Sequence, residues 1–272
     1  MSHLPDLVGS RDLFVNLTLR ELRGKYKRST LGWTWSLLNP LATMLIFTLI
    51  FRFVLRIQVA RGDPSGLQIF AVWLLCGLLP WTFLANGLTG AMESLISNAN
   101  LIRKVYFPRE VLVAATTAAW LVSAVIEFGV LAIVLLIVGN MILPWLPGVI
   151  LLLAIQTGFV LGLSLLLAVL NVYFRDVRHL MSILLQIWFY ATPIVYPPVL
   201  IASADERTAL PLVTLYHLNP MVGFVEAYRD LLYDLRMPPL GEIAYLVGVT
   251  VACLVIGYAG FRHWEPRLAE EL

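Results

Sequence analysis

Residues 111 to 138 read VLVAATTAAWLVSAVIEFGVLAIVLLIV, an apolar run in which Glu127 is the one ionisable side chain. A hydrocarbon layer about 30 Å thick is crossed by about 20 helical residues at 1.5 Å each. The run therefore predicts a membrane-spanning helix. Five further stretches of the same kind surround it, at 34–55, 67–88, 148–170, 181–201 and 240–260, and the charged residues fall almost entirely between them. The whole chain is 60% hydrophobic and 13% charged, with a mean hydropathy of +0.84, which excludes a single soluble domain. The expected fold is an all-α integral membrane protein with six transmembrane helices.

Charge placement sets the expected orientation. With the N-terminus inside, 13 of the 19 basic residues fall in inner segments, the densest group running from Arg20 to Arg28. Enrichment of Lys and Arg beside inner span ends predicts that both termini are cytoplasmic. These residues read as topology determinants and lipid contacts, so no nucleic-acid partner is expected. The N-terminal 30 residues hold six basic and three acidic side chains and no continuous apolar core, so no cleavable signal peptide is expected there.

Between spans, three segments stand out. Residues 4–22 alternate Leu7, Val8, Phe14, Leu17, Leu19 and Leu22 with polar residues, the pattern of an amphipathic helix lying in the interface with its oily face in lipid. The segment Glu93 to Glu110 is the most polar internal stretch, placed on the cytoplasmic side. Residues 202–239 form the longest outer segment, yet they are too apolar for free exposure and too subdivided to cross. Short re-entrant helices account for both facts, with Asn219 capping one and Pro220 in its first turn. The fifth stretch is broken by Pro193, Pro197 and Pro198, and broken backbone at membrane depth needs a cover of protein or a wet cavity.

Several activities are disfavoured. The chain has no G-x-x-x-x-G-K-[ST] phosphate loop, and its lysines are Lys25, Lys27 and Lys104. The four histidines are dispersed, and Cys76 and Cys253 lie in separate spans, so no metal or disulfide framework is expected. A membrane-bound glycosyl or phosphoryl transferase needs convergent carboxylates or a metal site, which the pattern does not supply. Glu127 is the sharpest anomaly, because an acid inside a span is a functional candidate by default. Counted from Val111 it lies about 25 Å along the helix. The sequence therefore expects it near the outer interface, where a hydrated carboxylate is tolerated.

One resemblance is specific. Residues 23–40, RGKYKRSTLGWTWSLLNP, are similar to the permease subunits of type-2 ABC exporters, closest to the branch that exports lipid-linked polysaccharides such as O antigen, teichoic acid or galactan. Leu78-Leu79-Pro80-Trp81, Asn98 through Pro108, Asn171 through Val177, Thr192 through Tyr196 and Leu218 through Met221 follow in family order. The resemblance covers nearly the whole chain and implies one domain, 1–272. Within it lie an interfacial segment at 1–30, a cytoplasmic coupling region at 93–107 and an extracytoplasmic re-entrant region at 202–239.

It also implies location and partners. The protein is expected in the bacterial cytoplasmic membrane, paired with a second copy of itself and with two cytoplasmic ATPase subunits that hold ATP and Mg. No cofactor and no catalysis are expected in this chain. The coupling surface falls on Asn98, Asn100, Arg103, Lys104, Tyr106, Arg175 and Asp176. Basic partners for a lipid diphosphate are Arg23, Lys25, Lys27 and Arg28. A sliding sugar polymer favours aromatic surfaces, for which Trp73, Trp81, Tyr190 and Tyr196 are candidates, and Glu127 is a candidate for the path. Export of a drug or of another lipid is the alternative reading.

Overall fold

The computed structural model describes residues 11–25, 34–54, 56, 59–105, 107–199 and 212–272, and no strand occurs among them. The helices are α1 (Arg11–Lys25), α2 (Thr34–Phe47, continued by π-helical turns Thr48–Val54), α3 (Phe70–Ser97), α4 (Ala99–Lys104) and α5 (Glu110–Ile137). They continue as α6 (Leu146–Tyr173), α7 (Val177–Tyr190), α8 (Leu212–Leu218), α9 (Pro220–Arg229, continued by a π-helical turn Asp230–Asp234), α10 (Leu240–Trp264) and α11 (Leu268–Glu271).

Among the described residues, the helical segments Phe70–Ser97, Glu110–Ile137, Leu143–Tyr173 and Leu240–Arg267 are long and apolar enough to cross a membrane. With its π-helical extension, α2 makes a fifth long apolar rod. The chain is thus an all-α, multi-pass membrane protein. Helix ends gather on two faces. At the basal face Arg109 donates to the carbonyl of Glu265 and Tyr173 donates to that of Trp264, joining the start of α5 and the end of α6 to the end of α10. At the apical face Asn140 donates to the carbonyl of Leu232 and Tyr233 to that of Ala60, tying both apical connections to the turn after α9.

The central rod is α3, packed on α5, α6 and α9. Its apical half is apolar all round, its basal half carries an exposed polar stripe of Asn86, Thr89, Glu93 and Ser97, and Leu74, Leu84, Leu88 and Leu95 are fully buried. Gln156 of α6 is buried beside it, donating to the carbonyl of Pro80 and accepting from the hydroxyl of Tyr228. Each polar end of this amide is satisfied, so it fixes α3, α6 and α9 without an orphaned group. The closest helix approach is between α6 and α10. A Cβ added at Gly162 would stand 2.5 Å from the carbonyl carbon of Cys253, and one at Gly158 would stand 2.9 Å from Thr250. Lipid supplies no hydrophobic drive for helix association, so small residues that admit close backbone packing hold such a crossing.

Three features differ from the sequence expectation. The second span runs to Ser97 rather than to residue 88, so the first residues of the polar segment are the last turn of α3. The fifth stretch forms a 14-residue helix that stops at Tyr190 and gives way to turns, with Pro193 shortly beyond its end. Finally, α1 lays its apolar face on protein rather than in lipid. Leu17 and Leu22 are buried, and Leu17 shares a cluster with Ala91, Leu95, Val111 and Leu112.

Candidate functional site

A polar ladder climbs one side of α5. Ala119, Ser123 and Glu127 are spaced four residues apart and so share a face. Lys25, the last residue of α1, sets its ammonium 3.1 Å above the ring centroid of Trp120. The same group donates to Ser123 Oγ at 3.1 Å and to the Ala119 carbonyl at 3.3 Å. One turn higher stands Glu127, buried at 8% exposure, near the Lys25 charge and Thr82 of α3. The acid is 17 residues from the basal end of α5 and 10 from the apical end, about 26 Å and 15 Å.

Burial, not depth, corrects the expectation of a hydrated carboxylate near the outer interface. The distance from the basal end agrees with the sequence count of about 25 Å, but the neighbouring helices α1 and α3 cover the side chain. Lys25 and Glu127 are therefore opposite charges in one neighbourhood among α1, α3 and α5, Glu127 buried and Lys25 half-buried, with no direct ion pair between them. Attraction at low dielectric offsets part of their desolvation, and removing one partner strands the other.

The candidate aromatic residues separate into two kinds. Trp73 is buried, with the Arg229 guanidinium carbon 3.5 Å from its ring centroid. Trp81 is also buried, edge-on to Trp188 and Phe189. Tyr190, by contrast, is 57% exposed at the end of α7, and its carbonyl accepts the hydroxyl of the half-buried Tyr196 at 2.7 Å. Among these four rings, Tyr190 and Tyr196 hold the accessible positions.

Beyond α7 the irregular backbone is capped by Arg229, one of the six basic residues outside the inner segments. Arg229 is 5% exposed, donating from Nη1 to the Pro193 carbonyl at 2.8 Å and from Nη2 to the Ile194 carbonyl at 3.0 Å. The cover required for broken backbone is thus an arginine stacked on an indole. Asn219 caps α9, as expected, by accepting from the Met221 amide. It also accepts from Trp188 Nε1 and donates to Thr192 Oγ1. Apical of Arg229 lies a cavity of about 320 Å³ whose lining includes Glu226, Asp230, Asp234, Arg236 and Glu242. Arg236 bridges Asp230 at 2.6 Å and Asp234 at 3.5 Å. Burial pushes both carboxyls above their ordinary range against the pull of Arg236.

The basal face carries the remaining candidates. Arg178 pairs with Glu93 at 2.8 Å, linking the α6–α7 connection to the end of α3. Asn98 is buried between α3 and α4, donating to the Ser94 carbonyl and accepting from Arg20. Ile102 anchors α4, while Asn100, Arg103 and Lys104 face outward, as do Phe174, Arg175 and Asp176. Arg23 is exposed on α1. Lys27, Arg28 and Tyr106 lie outside the described residues. Among the described residues, no group of three or more His, Cys, Asp or Glu side chains is arranged to hold a metal ion.

A multi-pass bundle with a polar basal face, a capped apical face and charge enclosed between them is the membrane part of a transporter. The family model of the ABC-2 type transporter matches residues 12–233, and the chain belongs to that family, as a membrane-embedded permease. Over 274 residues it is 31% identical to the O-antigen export system permease protein RfbA of Myxococcus xanthus, covering 98% of each chain. It is 30% identical to the protein of that name from Klebsiella pneumoniae over 263 residues, covering 96% of this chain and 95% of the relative. The polysialic acid transport protein KpsM of Escherichia coli is 25% identical over 266 residues, covering 93% of each.

Proposed function

We propose that this chain is the channel-forming subunit of an ATP-driven exporter that carries a lipid-linked polysaccharide across the bacterial cytoplasmic membrane. The supporting observation is the nearly end-to-end likeness to O-antigen export permeases. In this reading the basal face is cytoplasmic and both termini lie on that side. Two copies line the path, and α7 with the turns after it completes a sixth crossing, covered by Arg229. The helices α8 and α9 are the re-entrant pair of the outer leaflet.

Two separate ATPase subunits, holding ATP and Mg, dock on the basal face. Their contacts are Asn100, Arg103, Lys104 and Tyr106, with Arg175 and Asp176 beside them, while Asn98, buried rather than exposed for docking as the sequence expects, holds the turn into α4. The Glu93–Arg178 pair keeps these two surfaces in register. Arg23, Lys25, Lys27 and Arg28 receive the diphosphate of the lipid carrier, and the exposed rings of Tyr190 and Tyr196 give sugars a face to slide on. Glu127 holds Lys25 at the wall of the path.

The test is deletion of the gene in its own host. Lipid-linked glycan should accumulate on the cytoplasmic side and disappear from the surface. The wild-type chain should restore export, whereas an Arg103→Glu/Lys104→Glu variant should reach the membrane without binding the ATPase or exporting. Unchanged surface glycan in the deletion strain, with loss of resistance to a drug instead, would assign the chain to a different cargo.

A further inference from the structure

A second cavity, of about 380 Å³, opens at the basal end where α1, α5, α6 and α10 meet. Phe14, Ala114 and Leu165 make its apolar walls, and Arg11, Glu110 and Tyr258 stand around it. Glu110 opens α5, so the cavity lies where the hydrocarbon of a bilayer gives way to headgroups. One carboxylate oxygen of Glu110 meets Arg262 at 3.5 Å, but the other is buried with no hydrogen-bond partner. Arg262 directs Nε to the Tyr258 hydroxyl and Nη1 to Glu265, each at 3.0 Å, and only its Nη2 turns toward Glu110, on the oxygen that is not the orphaned one. Arg11 is exposed at the N-terminal end of α1.

These features together call for three chemical parts in one ligand. The apolar slot takes an aliphatic chain. Arg11 and the positive end of the α1 dipole attract a phosphate. The orphaned Glu110 oxygen requires a donor, and a buried acceptor left without one is destabilising. An anionic glycerol headgroup has hydroxyl donors but brings net negative charge beside the carboxylate. A trimethylated ammonium has no hydrogen to donate. We infer that this cavity is a binding site for an amine-bearing zwitterionic phospholipid of the phosphatidylethanolamine type. Its ammonium sits on Glu110, its phosphate at Arg11 and one acyl chain between Phe14, Ala114 and Leu165. The lipid wedges between α1 and α10 and ties the N-terminal helix to the bilayer.

The experiment is native mass spectrometry of the full-length purified chain, offered equal amounts of dioleoyl phosphatidylethanolamine, phosphatidylcholine and phosphatidylglycerol. Phosphatidylethanolamine should be retained about tenfold over phosphatidylcholine, the size of one charge-assisted hydrogen bond. Glu110→Gln should erase that preference without lowering phosphatidylcholine retention, and Ala114→Trp should displace all three by filling the slot. Equal retention of the ethanolamine and choline lipids by the wild-type chain overturns the proposal, as does a preference that survives in Glu110→Gln. Strongest retention of phosphatidylglycerol overturns it too. A photoreactive side chain in place of Ala114 should cross-link to lipid, and cross-linking to residues 1–10 of the same chain would give the slot a different occupant.

Discussion

Arg178 at the basal face and Arg229 at the apical face are held in opposite ways. Arg178 is more than half exposed and meets a half-exposed carboxylate, Glu93, so water can replace either partner at little cost. Arg229 is enclosed, its guanidinium divided between two backbone carbonyls and an indole face. The basal end is built for contacts that are made and broken, the apical end for contacts made once. Under the proposed function, that division suits a protein whose energy source docks at one end while a non-helical stretch is kept closed at the other.

The contrast can be broken by substitution. Arg229→Ala strands the Pro193 and Ile194 carbonyls and should cost about 3 kcal/mol of stability, at about 1.5 for each charge-assisted hydrogen bond. Loss of protease resistance between residues 190 and 199 would register it, and Arg229→Lys should recover only part. Next comes Lys25→Met, which leaves Glu127 without its counter-charge and should destabilise by about 2 kcal/mol. The double variant with Glu127→Gln should lose less than the two single losses summed, and strict additivity in thermal unfolding would show that the two charges do not interact. Asn219→Ala removes an N-cap and the acceptor of Trp188 and should cost about 1 kcal/mol, read from tryptophan fluorescence during unfolding. Arg178→Ala should change stability by less than about 1 kcal/mol, yet weaken ATPase capture in a pull-down. A stability loss as large as that of Arg229→Ala would end the distinction between the two faces.

Much of the scaffold was legible because hydrophobic length is a local property. The run at 111–138 and the helix Glu110–Ile137 agree within a residue at each end, and Asn219-Pro220 marked the start of α9 by cap chemistry alone. What escaped reading depends on neighbours distant in sequence. Lys25 and Ser123 are 98 residues apart, and no pattern within α1 indicates that its last side chain enters the bundle. Arg229 looked like one outer charge among six, although an arginine inside a run as apolar as 221–233, downstream of prolines that free carbonyls, was a usable signal. The glycines at 158 and 162, spaced one helical turn apart, were likewise visible but silent until α10 was placed against them.

The glycine contact between α6 and α10 also has a mechanical side. Backbones that touch leave little side chain between them to repack, and under the proposed function this pair is the fixed body of the exporter. In that reading, displacement delivered from the basal face travels through the more lightly packed rods, α2 and α7, which meet where Phe47 stacks on Phe189 at 6.1 Å. A cysteine bridge replacing Phe47 and Phe189 should arrest the working stroke, while a bridge between α6 and α10 beside Gly162 should leave it free.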